Sequence, residues 1–424
     1  MQAANIGPVG PGERTQSAFD LFLIFAGANI VATTLQVGAS LAPSYTLHTA
    51  LVLIAAGSVA GSLLVASLVP LGPRLGVPSV IAARAALGTR GAGLVALVLY
   101  LTNFAWIAVN NVIAASACSA VAGGPASSRW WAVGLGLLAT VIVAGGPAVV
   151  GRADRVAVPL LLATGIGMTV ACLRIPSWVL ARPVMSPATW IRGLDIVIAY
   201  QVSWILMFAD YSRYTRSPAR APWAVFLALT LTSLWFMPLG LLSSRAAGSA
   251  DPGAMLEAVG LGAGGAVLLA LATVTTNFVN IYLSSLALKS LLPRIDEQGA
   301  VWSTGLCGAG LSLLSAAWLD KFASYMLVLG ATLVPIGGVL LAHFFMLRRP
   351  VDVPGLYARV ARGRAFAGLS VAGMAAWLAG AAAYFAGSPV GATLPALVAS
   401  VTVYLMVAAF RGKRETASYR PRPI

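Results

Sequence analysis

The sequence predicts an all-α polytopic membrane protein, and three observations carry that prediction. The 424-residue chain is 59% hydrophobic, with a mean hydropathy of +0.88. Only 9% of its residues are charged, where a soluble globular domain holds roughly a quarter. Apolar runs of about 20 residues, each long enough to cross about 30 Å of hydrocarbon, recur from end to end. The chain therefore divides into a polar tail over 1–18, one transmembrane domain over 19–410 and a basic tail over 411–424.

Twelve transmembrane helices are expected, at roughly 19–42, 47–70, 93–122, 129–150, 155–173, 192–212, 222–244, 263–290, 299–319, 322–347, 364–387 and 391–410. The first contains "FAGANIVATTLQVG", where Gly27 and Asn29 weaken a helix in mid-membrane. The third contains "LTNFAWIAVNN", which sets Asn103, Trp106 and Asn110 near one face at steps of three and four. The sixth contains "YQVSWILMFADYSRYTRS", with Tyr200, Gln201, Ser203 and Trp204 ahead of the Asp210–Arg213 exit. The eighth contains "ATVTTNFVN", in which Ala272, Thr275 and Thr276 share a face at i, i+3 and i+4, and Asn277 follows. The connecting segments are short; the longest, 174–191 and 245–262, are too small for a further domain.

An amide or hydroxyl in lipid costs free energy unless protein satisfies it. The polar groups of these four spans must therefore meet partners inside the bundle. Taken one at a time they leave two readings open. The threonines suit bonds to their own helix carbonyls or to a neighbouring helix, and equally the oxygen shell of a hard cation such as Na⁺. A mid-span Trp suits plain packing, and equally a flat π-surface for a ring. Together, uncharged hydrogen-bonding groups on four spans fit a midplane site for a small, neutral, planar solute.

The net charge of +15 is a matter of topology. Of the 27 Lys and Arg, 21 fall on the side that holds both termini, and six (Arg129, Arg174, Arg182, Arg192, Arg245 and Lys321) on the other. That asymmetry predicts an inner-membrane protein with both termini cytoplasmic. Basic residues then meet anionic lipid, and neither nucleic acid nor an obligate protein partner is expected. No cleaved signal is expected in residues 1–18. Cys118, Cys172 and Cys307 all fall within spans, without a disulfide framework. No Gly-rich phosphate loop precedes Lys289, Lys321 or Lys413, and His48 and His343 lie far apart without metal-ligand spacing. The sequence thus argues against an ATP-driven pump and against an enzyme. Asp195, near the start of the sixth span, keeps a proton relay open.

Five segments, in order along nearly the whole chain, resemble the nucleobase–cation symporter family, which includes cytosine, purine, allantoin and hydantoin permeases. They are "GVPSVIAARAALGTRGA" (76–92), "NFAWIAVNN", "SWILMFADYSRY", "TTNFVNIY" and "LVPIGGVLLAHFFMLRR". The resemblance implies a LeuT-like arrangement: ten core helices, about 19–347, as two inverted five-helix repeats, plus two C-terminal helices at about 364–410. Spans one and six are then broken at the midplane. It implies that Trp106 stacks on the substrate ring, while Asn103, where cytosine permeases carry Gln, bonds the ring edge. Tyr200, Gln201 and Ser203 line the broken part of span six, and Asn277 bonds the substrate from span eight. Either Gln201 or Trp204 takes the second ring face. The implied sodium site joins the backbone carbonyls of Gly27, Ile30 and Ala272 to the hydroxyls of Thr275 and Thr276. The implied function is import of a nucleobase or related heterocycle (cytosine, a purine, hydroxymethylpyrimidine or an allantoin-like ring) by cation symport. Na⁺ is the expected coupling ion, with H⁺ as the alternative and no other cofactor. An amino-acid-type transporter on the same fold is the rival reading.

Overall fold

In the computed structural model, residues 7–124, 127–292, 294–314, 320–348, 351–357 and 368–418 are described. Among them every regular element is helical, and the one isolated bridge between extended residues pairs Gln16 with Thr215. Ser17 starts α1 (Ala18–Asn29): its hydroxyl accepts from the Asp20 N–H, and the Asp20 carboxylate accepts from the Ser17 N–H. This reciprocal cap satisfies donors that a helix start leaves orphaned. α2 (Ala32–Leu41) follows after a 58° bend, and α3 (Leu47–Leu68) returns from the Thr46 cap.

α4 (Ser79–Val121) is bent at Gly88, whose φ of 77° and ψ of 168° leave the helical region. A Cβ at Gly88 would lie 2.3 Å from the Gly368 carbonyl oxygen, so glycine is needed there for both space and conformation. The third expected span therefore gains a leading segment, residues 79–87, ahead of the membrane-length part. α5 (Ser128–Ala144) stops short of the expected 150, because Gly146 at φ 85° turns the chain and Pro147 opens α6 (Pro147–Cys172). α7 (Trp190–Val202) tightens into a 3₁₀ segment at Ser203–Met207. Then come α8 (Ala221–Ala247), α9 (Gly262–Leu291), α10 (Glu297–Leu311), α11 (Phe322–Leu341), α12 (Val371–Ala386) and α13 (Thr393–Ser418).

Among the described residues, seven helices are long and apolar enough to cross a membrane, eight when the bent α1–α2 pair counts as one span. Ser128–Ala144, Pro159–Cys172 and Val371–Ala386 are apolar but shorter. The expected end of the ninth span (315–319), the start of the eleventh (364–367), and Arg349, Arg359, Arg362 and Arg364 lie outside the described residues.

Small residues set the packing. Without a hydrophobic drive between helices in lipid, close backbone approach supplies the attraction. α2 and α8 meet backbone to backbone: a Cβ on Gly38 would lie 1.8 Å from the Met237 carbonyl oxygen, and one on Gly240 1.9 Å from that of Leu35. α3 meets α7 through Gly57 against Val197 and Gly61 against Gln201. Gly240→Ala is expected to force these backbones apart at a cost of about 1–3 kcal/mol or more. A lowered melting temperature in detergent checks this, and an unchanged one contradicts the close approach.

Candidate functional site

The break between α1 and α2 is built by Ile30 (φ −80°, ψ 74°) and Val31 (φ −143°, ψ 163°). β-branched residues tolerate extended backbone better than a helix interior does. Asn29 pins the break to α8, its Nδ2 donating to Thr232 Oγ1 at 2.8 Å and Ser233 Oγ at 2.9 Å. The Thr34 hydroxyl donates to the Asn29 carbonyl at 2.5 Å and lies 2.6 Å from the Tyr200 hydroxyl. The broken first span is thereby tied to α7. Where α7 tightens, the Ser203 hydroxyl donates to the Tyr200 carbonyl at 2.6 Å.

Between these elements, α4 and α9 lies a cavity of about 700 Å³. Gly27, Val31 and Thr33 form one side of it. Trp106 and Asn110 come from α4, Tyr200, Ser203 and Trp204 from the sixth span, and Thr275, Thr276 and Asn280 from α9. Thr15, Gln16, Asp210, Tyr211, Tyr214 and Tyr282 extend the wall toward the N-terminal end of the bundle. The Trp106 ring meets Tyr200 edge-on at 6.0 Å and Tyr325 at 5.4 Å, which fixes its plane. Trp204 packs on Phe25 at 5.8 Å. Two indoles and a tyrosine thus offer π-surfaces to one space.

A row of amides runs behind this wall from α4 to α9. Asn110 Nδ2 donates to Asn277 Oδ1 at 3.1 Å, Asn277 Nδ2 to Asn111 Oδ1 at 2.7 Å, and Asn111 Nδ2 to Ser312 Oγ at 3.0 Å. Asn110 Oδ1 and Trp204 Nε1 are buried with no protein partner. Buried polar atoms are nearly always paired, so these two stand out among the polar groups of the wall residues.

The sequence-predicted residues divide. Trp106, Tyr200, Ser203, Trp204, Gly27, Thr275 and Thr276 share the cavity. Asn103, Gln201, Asn277 and Ile30 are not among its wall residues. Asn103 lies about two turns along α4 from Asn110, fully buried, with neither amide atom partnered. Gln201 turns away because its Nε2 donates to Ser233 Oγ at 2.6 Å while Gly61 presses on its stem. Asn277 spends its amide on Asn110 and Asn111. Ala272 lies in α9 one turn before Thr275 and Thr276, and Ile30 sits in the non-helical break. Asp195 stands apart from this wall, its carboxylate accepting the Ala392 N–H at 2.8 Å and the Thr393 N–H at 3.0 Å. It thereby caps the start of α13.

Asn110 and Asn280 are wall residues that sequence reasoning did not assign. Each follows an assigned residue, Trp106 or Thr276, by four positions on the same helix face. The oxygens near Gly27, Thr275 and Thr276 are uncharged, and among the described residues no group of three or more His, Cys, Asp or Glu forms. Hydroxyls and carbonyls are hard donors that suit Na⁺ better than a soft metal.

Along most of its length the chain is similar to known permeases and transporters. A family model described as a permease for cytosine/purines, uracil, thiamine and allantoin matches residues 8–406. The putative purine-cytosine permease YxlA of Bacillus subtilis is 24% identical over 378 residues, covering 82% of this chain and 81% of the relative. The cytosine permease of Escherichia coli K12 is 24% identical over 347 residues, covering 81% of each. The inward-facing conformation of Mhp1 superposes with a TM-score of 0.83 at 21% identity, covering 96% of this chain and 93% of that one. Mhp1 in a closed conformation with bromovinylhydantoin bound, described as a nucleobase-cation-symport-1 family transporter, gives 0.80 at 20% identity over 96% and 95% of the chains.

Proposed function

The chain belongs to the nucleobase–cation symporter family of cytosine/purine, uracil, thiamine and allantoin permeases, and on that premise we propose that it imports a nucleobase or related heterocycle by Na⁺ symport. It is a multi-pass membrane transporter and not an enzyme. The observation that carries the substrate reading is the cavity in which Trp106, Tyr200 and Trp204 meet Asn110. A flat ring stacks on the indoles, while the unpartnered Asn110 Oδ1 takes a ring N–H and Trp204 Nε1 gives to a ring carbonyl. Among the described residues this cavity wall carries the Asp210 carboxylate but no Lys or Arg, which disfavours the amino-acid reading, since a substrate carboxylate finds no cation there.

The coupling site of this reading joins the backbone carbonyls of Gly27, Ile30 and Ala272 to the hydroxyls of Thr275 and Thr276. Its support is that Gly27 and the two threonines face the substrate cavity, so ion and ring stabilise each other across a shared wall. Alternating access follows from rocking of one helix bundle against another around this site.

In the same reading there are twelve spans, both termini are cytoplasmic and the host is the inner membrane. Counting α1–α2 as span one and α3 to α13 as spans two to twelve, the packing supports two five-helix repeats. Exchanging each of the first five spans with the one five places later turns the α2–α8 contact into the α3–α7 contact. The α4–α9, α5–α10 and α3–α8 contacts map onto themselves.

Uptake of a radiolabelled base, competed with cytosine, uracil, adenine, hypoxanthine, allantoin and hydroxymethylpyrimidine, tests the substrate reading. Asn110→Leu is expected to weaken the preferred ring by up to about tenfold and to reorder the panel. Asn103→Gln leaves the order unchanged. The opposite pattern would move ring-edge recognition from Asn110 to Asn103.

A further inference from the structure

We propose that the cavity contains a second station for the transported heterocycle, where Gln16, Asp210, Tyr211, Tyr214 and Tyr282 hold rings that bear an amino group. The proposal rests on the reading that this cavity carries a heterocycle, and adds a second position to it. At about 700 Å³ the space matches pockets that enclose whole drug-sized ligands, and one flat base leaves much of it empty. Tyr282 stands six residues beyond Thr276 on α9, about 9 Å along the helix. A ring seated between Trp106 and Trp204 at the height of Thr276 does not reach it.

This end of the cavity is built. The Gln16 N–H donates to the Tyr214 carbonyl at 3.0 Å, and the Arg216 N–H returns to the Gln16 carbonyl at 3.0 Å. Arg213 donates to the Gly7 carbonyl at 3.2 Å, and the Val9 N–H to that of Gly76 at 2.7 Å. The segment before α1 is thus strapped across the exit of the sixth span by its backbone. That leaves the Gln16 side chain for the wall. Asp210 is 9% exposed, beside Ser79 and the Arg213 guanidinium. Tyr282 lines the same wall as Asp210 and Tyr214.

The chemistry here differs from that of the first position. A carboxylate and an amide oxygen are both acceptors. The Asp210 carboxylate, an acceptor only, fits a ring edge with neighbouring N–H donors, such as an exocyclic amino group, and repels an edge that presents a carbonyl oxygen, while the Gln16 amide turns its oxygen to the first. Tyrosine rings add π-surface. The station therefore favours aminopyrimidines and aminopurines over their oxo counterparts.

The test is equilibrium binding to the purified full-length protein in nanodiscs with Na⁺, using the radiolabelled pairs cytosine/uracil and adenine/hypoxanthine. For the pair the protein binds, two equivalents of the amino member and one of the oxo member are expected. Asp210→Asn and, separately, Gln16→Ala should each reduce the amino member to one equivalent. The strap holds Gln16 through its backbone, so the second variant keeps the fold even if the first does not, and size-exclusion monodispersity checks both. One equivalent of the amino member on the wild type, or two on monodisperse Gln16→Ala, overturns the second station and leaves the transport reading standing. No saturable binding by any of the four bases overturns both.

Discussion

Trp106→Ala is expected to weaken affinity for the transported heterocycle by about 10- to 100-fold while the protein still reaches the membrane. Stacking of a base on an aromatic ring is worth about 1–3 kcal/mol, and each 1.4 kcal/mol is a factor of about ten. The indole is held by Tyr200 and Tyr325, so no neighbour swings in to replace it. Trp106→Phe keeps part of the π-surface and should fall between wild type and alanine. Equilibrium binding to purified protein is the measurement. If correctly inserted Trp106→Ala binds as wild type does, the indole is packing alone and the ring sits elsewhere.

Thr275→Ala and Thr276→Ala should act on the ion first. Each removes one oxygen from the proposed set of five, and a loss of about 10- to 100-fold in Na⁺ affinity is expected, the size seen when a metal site loses a supporting contact. Because coupling between two ligands is reciprocal, substrate binding falls at limiting Na⁺ and recovers at saturating Na⁺. Binding isotherms at several Na⁺ concentrations separate this from simple misfolding, which high Na⁺ does not repair. A variant whose substrate affinity drops equally at every Na⁺ concentration removes the threonines from the ion site.

Much of the bundle is legible in the sequence because hydropathy responds to the one constraint a membrane imposes everywhere. The break in the first span is legible too, since Gly27 and Asn29 interrupt an otherwise helical run. The bend at Gly88 is not, because it depends on Gly368, some 280 residues away (368 minus 88). In the site, helix periodicity names the face but not the depth. Asn103 and Asn110 share the face of Trp106, and only Asn110 reaches the cavity. Periodicity is equally silent on which amide is consumed by another amide. Asn277 is spent on Asn110 and Asn111, while Asn280, three residues on, reaches the wall. For Gln201 and Trp204, nearly a turn apart, the decision lies on other helices. Ser233 on α8 and Gly61 on α3 draw Gln201 away, and Trp204 is left at the cavity.

Asp195 is the residue on which the alternative reading of H⁺ coupling turns. Its carboxylate holds two backbone N–H groups at the start of α13. An amide in its place would keep only one oxygen for the two N–H groups that tie α13 to α7 and would lose the charge assistance. Asp195→Asn is therefore expected to lower stability while leaving the Na⁺ dependence of uptake intact, as thermal melts and uptake in parallel can show.

The most direct measurement is accumulation of a labelled heterocycle in proteoliposomes under an inward Na⁺ gradient, with internal and external pH held equal. Symport through this cavity predicts saturable uptake that rises above the external concentration and collapses when the Na⁺ gradient is dissipated. Uptake that ignores Na⁺ and follows an imposed pH gradient, or that never exceeds equilibration, contradicts it.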